Sequence, residues 1–251
     1  MDDKKWIRRF HPAEQAPVRL VCLPHAGGSA SYFFPLSKAL SPSVDVLSVQ
    51  YPGRQDRRAD PCIDSIAGLA DRTAEILAPA ADRPLALFGH SMGAALAFEV
   101  ALRLEERGTV PVALFVSGRR APSRHRAETV HLRSDEELVE ELRRLSGTDA
   151  GMLDNPEVLE MVLPALRADY RAIETYRARP GLRVGCPVHA LTGDADPKAT
   201  TDEVRDWEHH TTGAFTISVF PGGHFYLNDH QQEIAKIIAS AVEYGAPLGS
   251  V

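Results

Sequence analysis

The chain has 251 residues, 44% of them hydrophobic and 25% charged, with a formal net charge of −6 at pH 7. That apolar share can fill one sizeable core, so a single domain carrying an inserted segment is the economical expectation. An acidic balance has the wrong sign for a nucleic-acid binder, although it leaves room for a local basic patch.

Three cysteines, Cys22, Cys62 and Cys186, are too few and too scattered for a disulfide framework. Cys22 and Cys186 fall in apolar, strand-like runs and read as buried, inert thiols. The start, Met1-Asp2-Asp3-Lys4-Lys5, lacks the apolar stretch of a signal peptide. No run approaches the roughly 18 apolar residues of a membrane span. A soluble, cytoplasmic protein is expected, and nothing demands more than a monomer.

Along the chain, short β-branched runs alternate with longer helical patterns, the signature of a mostly parallel sheet flanked by helices. Strands are predicted at Val18–Leu23, Val44–Val49, Leu85–Phe88, Val112–Ser117, Val188–Thr192 and Phe215–Phe220. They are nearly continuous in apolar residues, as strands buried on both faces should be. Helices are predicted at about Ile63–Leu77, Met92–Arg107, Thr201–His210 and Gln231–Tyr244, with Gly108 as a C-cap.

The rhythm breaks at about 120–185, far longer than an ordinary βα connection. Ser134-Asp135-Glu136-Glu137 is a capping box ahead of Leu138, Leu142 and Leu145. Asn155-Pro156 opens a second helix carrying Leu159, Val162, Leu163, Leu166 and Ile173, which Pro164 should kink or split. A helical insertion at this point reads as a lid over a site. Only the last few residues look like a loose tail.

Gly89-His90-Ser91-Met92-Gly93 joins a predicted strand to a predicted helix. A serine hydroxyl is a weak nucleophile and must be presented to a base from a tight turn. Glycines two residues either side relieve the crowding this turn creates, the physical content of G-x-S-x-G. In such a sheet the partners follow as acid, then histidine, each after a strand. Gly193-Asp194-Ala195-Asp196-Pro197 follows one strand and Pro221-Gly222-Gly223-His224-Phe225 the next. Ser91 is therefore the expected nucleophile, His224 its base and Asp196 the acid orienting that base. Asp194, directly after Gly193, reads as a turn residue bonded to backbone. His209 and His210 read as solvated surface and His189 as packed within a strand. Pro24-His25-Ala26-Gly27-Gly28-Ser29 follows the first strand, and its glycines let backbone amides approach an oxyanion. The expected donors are the N–H groups of Ala26 and Met92, with His25 packing the loop. No metal-binding motif is present and no cofactor is expected.

On these residues alone, a general carboxylesterase or lipase, an acyltransferase and a silent binding module on a hydrolase fold all compete with thioester hydrolysis. Six segments in order narrow the choice: Leu23–Ala30, Gln50–Arg54, Phe88–Ala94, Ser117–Pro122, Gly193–Pro197 and Gly222–Phe225. Together they resemble the type II (editing) thioesterases of polyketide synthase and nonribosomal peptide synthetase systems. The resemblance implies an α/β-hydrolase fold and hydrolysis of acyl groups from the phosphopantetheine arm of acyl or peptidyl carrier proteins. Integrated chain-terminating domains tend to keep their acid after the Val112–Ser117 strand. Here Ser117-Gly118-Arg119 stands instead, which favours the free-standing type. Carrier proteins are generally acidic, so Arg119, Arg120, Arg124 and Arg126, or Arg54, Arg57 and Arg58, are candidate docking residues.

Overall fold

The computed structural model describes residues 5–145 and 155–245. Seven strands form one sheet in the order β1-β3-β2-β4-β5-β6-β7. These are β1 (Ile7–Arg8), β2 (Arg19–Leu23), β3 (Asp45–Val49), β4 (Leu85–His90), β5 (Ala113–Ser117), β6 (Val188–Gly193) and β7 (Phe215–Phe220). All pairings are parallel except β1 on β3, where Ile7 faces Val49. The six predicted strands are all present. Two-residue β1 escaped prediction because so short an edge carries no period.

Helices cover both faces. On one, α2 (Ile66–Leu77) and α3 (Met92–Glu106) bury Ile66, Leu69, Leu96 and Phe98 against Val21, Leu87 and Leu114. On the other, α1 (Phe34–Leu40) and the C-terminal helix Gln231–Gly245 bury Leu36, Leu40, Ile234 and Ile238 against Leu20, Phe88 and Phe115. Both faces of β2, β4 and β5 are therefore dry, which explains their nearly continuous apolar sequences.

Local chemistry sets the helix ends. The Ser65 hydroxyl accepts from Gly68 N–H, so α2 starts at Ile66 rather than at the predicted Ile63. Gly108 follows the end of α3 at φ 84°, with its N–H on the Glu105 carbonyl, as a C-terminal glycine should. The predicted Thr201–His210 helix divides into α-helical Thr201–Arg205, closed by a Thr200/Glu203 capping box, and a 3-10 turn over Asp206–His210.

Between β5 and β6 lie α4 (Asp135–Leu145) and α5 (Pro156–Thr175). The expected capping box is formed, with Glu137 N–H on the Ser134 hydroxyl and Ser134 N–H on the Glu137 carboxylate. Asn155 caps α5 through Glu157 N–H. Pro164 does not split α5, which continues through it to Thr175. Leu138, Leu166 and Tyr170 of these helices form a small core with Val130, against which Ala26 packs. The expected tail lies outside the described residues. Among those described, no helix is long and apolar enough to cross a membrane.

Candidate active site

Ser91 sits between β4 and α3 at φ 55° and ψ −116°, a conformation L-residues avoid. Such backbone costs about 1–3 kcal/mol and persists only where neighbours over-determine it. Here Ser91 N–H donates to the Ser117 carbonyl at 2.8 Å, and the Ser91 carbonyl accepts from Ala94 N–H at 3.0 Å.

The flanking glycines are dictated by contact with backbone. A Cβ on Gly89 would stand 2.0 Å from the Gly93 carbonyl oxygen, and one on Gly93 2.0 Å from the Leu23 carbonyl oxygen. Nothing flexible can yield at either place. Gly93→Ala is therefore expected to cost about 3 kcal/mol and lower Tm by roughly 5–10 °C. A thermal melt unchanged from the parent would contradict this packing.

The sheet brings together three residues that the sequence separates widely. Ser91 Oγ lies 2.9 Å from His224 Nε2, and His224 Nδ1 lies 2.8 and 3.0 Å from the two Asp196 oxygens. His224 and Asp196 are buried, on the loops following β7 and β6. A hydroxyl bonded to an imidazole, itself bonded to a carboxylate, is an arrangement for activating oxygen as a nucleophile. Asp196 Oδ1 also accepts Lys198 N–H at 2.8 Å, which fixes the carboxylate's rotation. Asp194 instead accepts Gly222 N–H at 2.9 Å, a structural bond between the two loops.

Met92 is the first residue of α3, where an amide has no partner within the helix. Ala26 borders the cavity at Ser91. Among the described residues, neither amide donates to a protein acceptor.

Three features of the surroundings carry no local sequence signal. First, Asp169 on α5 accepts Gly27 N–H at 2.8 Å and pairs with Arg54, both side chains being buried. This bond ties the insertion to the loop that holds Ala26. Asp169→Ala would strand the Arg54 guanidinium, at an expected cost of about 3–5 kcal/mol. A calorimetric melt should show it, and turnover should fall as the loop loosens. Parental Tm and activity together would contradict the tie.

Second, His90 Nδ1 meets Ser117 Oγ at 3.0 Å, and Ser117 Oγ meets the Tyr226 hydroxyl at 2.6 Å. His25 packs edge-on to Tyr32 and Phe225 at ring separations of 4.6 and 4.8 Å. Burial, then the charge of His224 and of Arg54, pulls His25 down to about 3. It stays neutral and packs the loop.

Third, Glu128 receives Arg120 and Lys198, and Lys198 also reaches Glu141 on α4. Burial alone would raise the Glu128 carboxyl. The bond from Arg120 and the charge of Lys198 outweigh burial and hold it at about 2. An unfolded glutamate titrates near about 4.3, so the stability gained is full above roughly pH 5 and disappears as pH falls toward 2. The Tm advantage of the parent over Glu128→Gln should shrink between those limits. A gap independent of pH would contradict the network.

Several sequence expectations need correction. His210 is buried, with Nδ1 at the Leu182 carbonyl and Nε2 at Ser123 Oγ; the turn rotates it inward beside Trp207. His209 is exposed as expected, and His189 packs in β6 against Phe115 at 4.9 Å. Most of the arginines expected as a docking face are committed elsewhere. Arg54 and Arg57 are buried, Arg57 lying over Trp6 at 4.4 Å. Arg120 is buried on Glu128, while Arg124 pairs with Asp206 and Arg126 with Glu203. Guanidinium groups need partners when buried, and the nearby acids supply them.

The model of the Thioesterase domain family matches residues 18–242. The chain belongs to the thioesterase family. It is 55% identical to thioesterase PikA5 of Streptomyces venezuelae, over 98% of this chain and 89% of that one. It is 53% identical to a probable cadicidin biosynthesis thioesterase of Streptomyces griseus, over 95% of this chain but 66% of that protein's length. The solved type II thioesterase BorB, from the borrelidin biosynthetic cluster, superposes with a TM-score of 0.90. It is 54% identical, with 95% of this chain and 98% of that one covered. The fold is accordingly the α/β-hydrolase fold of these thioesterases, and the chain is a thioester hydrolase.

Proposed function

We infer that this thioesterase clears acyl groups from the phosphopantetheine arm of acyl or peptidyl carrier proteins, editing stalled polyketide or nonribosomal peptide synthases. The observation that carries the reading is the hydrogen-bonded series Ser91–His224–Asp196 in a chain of this family. PikA5 and BorB are named as thioesterases, the latter of type II from a biosynthetic cluster, and the high identities support the same class of work.

The chemistry follows from the geometry. His224 Nε2 takes the Ser91 proton as Oγ attacks the thioester carbonyl. Asp196 holds the imidazole with its Nδ1 proton inward and stabilises the imidazolium. The amides of Ala26 and Met92 face the developing oxyanion, aided by the positive end of α3. The tetrahedral adduct collapses, the carbon–sulfur bond breaks, and His224 returns the proton to the departing thiolate. Water, deprotonated by His224, then releases the acid from acyl-Ser91.

The insertion acts as a lid in this reading. Leu142, Leu145, Tyr170 and Ile173 line the cavity at Ser91, which measures about 40 Å³.

A fluorophosphonate tests the assignment. One phosphonyl group should appear on the peptide containing Ser91, more slowly when a short acyl-pantetheine is present. Labelling on another residue, or none, would contradict it.

A further inference from the structure

Ser117, the last residue of β5, touches the supports of both reacting groups. Its carbonyl accepts the Ser91 N–H at 2.8 Å and so holds the nucleophile's turn. Its hydroxyl lies 2.6 Å from the phenol of Tyr226, two residues beyond His224. Tyr226 N–H donates to the Gly223 carbonyl at 3.3 Å, which closes the turn that carries His224. Phe220, at the end of β7, stacks on the Tyr226 ring at 5.3 Å. Ser117 and Tyr226 are both buried. The sheet register sets Ser117 directly beside His90, the residue before the nucleophile.

The acid's loop meets the same place. Gly118 has φ 58°, and its N–H donates to the Leu191 carbonyl of β6 at 2.9 Å. A Cβ on Gly118 would stand 2.7 Å from His90 Cε1 and 3.5 Å from Asp196 Oδ2. Ser117-Gly118 is thus packed among the elbow, the histidine loop and the acid.

Donation runs from Tyr226 to Ser117 to His90. Burial pushes the Tyr226 phenol well above its ordinary value, so it keeps its proton. His90 is pushed well below its own, by burial first and then by His224 and His25, so its ring is neutral. With Ser117 donating to His90 Nδ1 at 3.0 Å, one polar atom of the three side chains, His90 Nε2, lacks a partner among the described residues. The reverse direction would strand the Tyr226 proton as well, and each buried orphan is costly. A neutral His90 also matters for the reaction. Its ring lies 5.1 Å from that of His224, and a second imidazolium there would oppose proton uptake.

We propose that Ser117 and Tyr226 are positioning residues for the Ser91–His224 pair. Their one hydrogen bond joins the nucleophile's turn to the base's turn and fixes the reach of Ser91 Oγ to His224 Nε2. Neither lines the cavity at Ser91, so each acts through the reacting pair rather than on the acyl group. The proposal rests on the thioesterase reading and adds to it what holds the nucleophile to its base.

The test measures kcat and KM for a short acyl-pantetheine, and the rate of fluorophosphonate labelling at Ser91. The variants are Tyr226→Phe, Ser117→Ala and the two combined. Ile238→Val, a core truncation in the C-terminal helix, is the control for lost stability alone. All are assayed well below their melting temperatures. In each single variant kcat and labelling should fall together by about 10–100-fold, with KM within about twofold, the scale of a misplacement near 1 Å. Two changes that break one bond are not additive, so the double variant should match the slower single within about twofold. Tyr226→Phe removes one oxygen and carries the test if Ser117→Ala fails to fold. Single variants that keep kcat as Ile238→Val does would overturn the proposal, as would losses that multiply in the double variant. A parent that labels at Ser91 but leaves the thioester intact would overturn the thioesterase reading alone, since labelling rates still test the positioning. A parent not labelled at Ser91 would overturn both.

Discussion

Ser91→Ala is expected to lower kcat/KM for a short acyl thioester by about 10⁴–10⁶-fold with the fold intact. Ser91 Oγ makes the 2.9 Å contact to His224 Nε2, and among the described residues no other hydroxyl or thiol stands in its place. Among the described residues Tyr170 is the one other hydroxyl lining the cavity, and burial raises its pKa further above its ordinary value. The thiols offer no substitute. Cys22 and Cys186 are buried and Cys62 is half-buried, and burial raises the pKa of all three, so none presents a thiolate near neutral pH. Alanine keeps the Cβ and inherits the same φ of 55°, so the strain at the turn is unchanged. Tm should therefore stay within a few degrees of the parent. The activity that remains would come from the oxyanion donors and from binding, as in other triad deletions. A loss under tenfold, measured as free acid released, would move the nucleophile elsewhere.

Asp196→Asn should cost about 10⁴-fold in kcat, with little change in KM. The orientation of the amide is set by its surroundings. Lys198 N–H points at Oδ1 from 2.8 Å and keeps an acceptor there, so the new NH₂ occupies the position of Oδ2, 2.8 Å from His224 Nδ1. A donor facing Nδ1 turns that nitrogen into an acceptor and moves the ring proton to Nε2. The ring can then no longer accept the proton of Ser91. Asp194→Asn, whose side chain only meets Gly222 N–H, is the matched control and should stay near parental activity. Comparable losses in the two variants would contradict the assignment of Asp196.

Much of this architecture was readable from sequence because its signals are local. Strands buried on both faces are nearly continuous in apolar residues, as Leu85–Phe88 of β4 shows, and the Ser134 and Asn155 caps announce the two inserted helices. The elbow and the two loops after β6 and β7 were legible for a related reason. Close backbone approach at Gly89 and Gly93 leaves no alternative residue, so the constraint is written in the glycines themselves.

What escaped depends on partners far along the chain. Arg54 and Asp169 are 115 residues apart, and Ser117 and Tyr226 are 109 apart. No periodicity encodes such pairs, and a run of arginines looks solvated until its acids are found in space. The burial of His210 has the same origin, because a 3-10 turn shifts the residue off the face a continued α-helix would give it. Pro164, expected to kink or split its helix, does not split it; α5 runs through, held by the packing of Leu163, Leu166 and Tyr170 and, beyond the proline, by the Asp169 bonds.

The most direct measurement is release of free acid from a short acyl group on a phosphopantetheinylated carrier protein. A matched p-nitrophenyl ester and the Ser91→Ala variant are run beside it. The account predicts clear preference for the carrier-bound thioester, abolished in the variant. Rapid turnover of the oxygen ester with the carrier substrate untouched would contradict it and leave a general esterase.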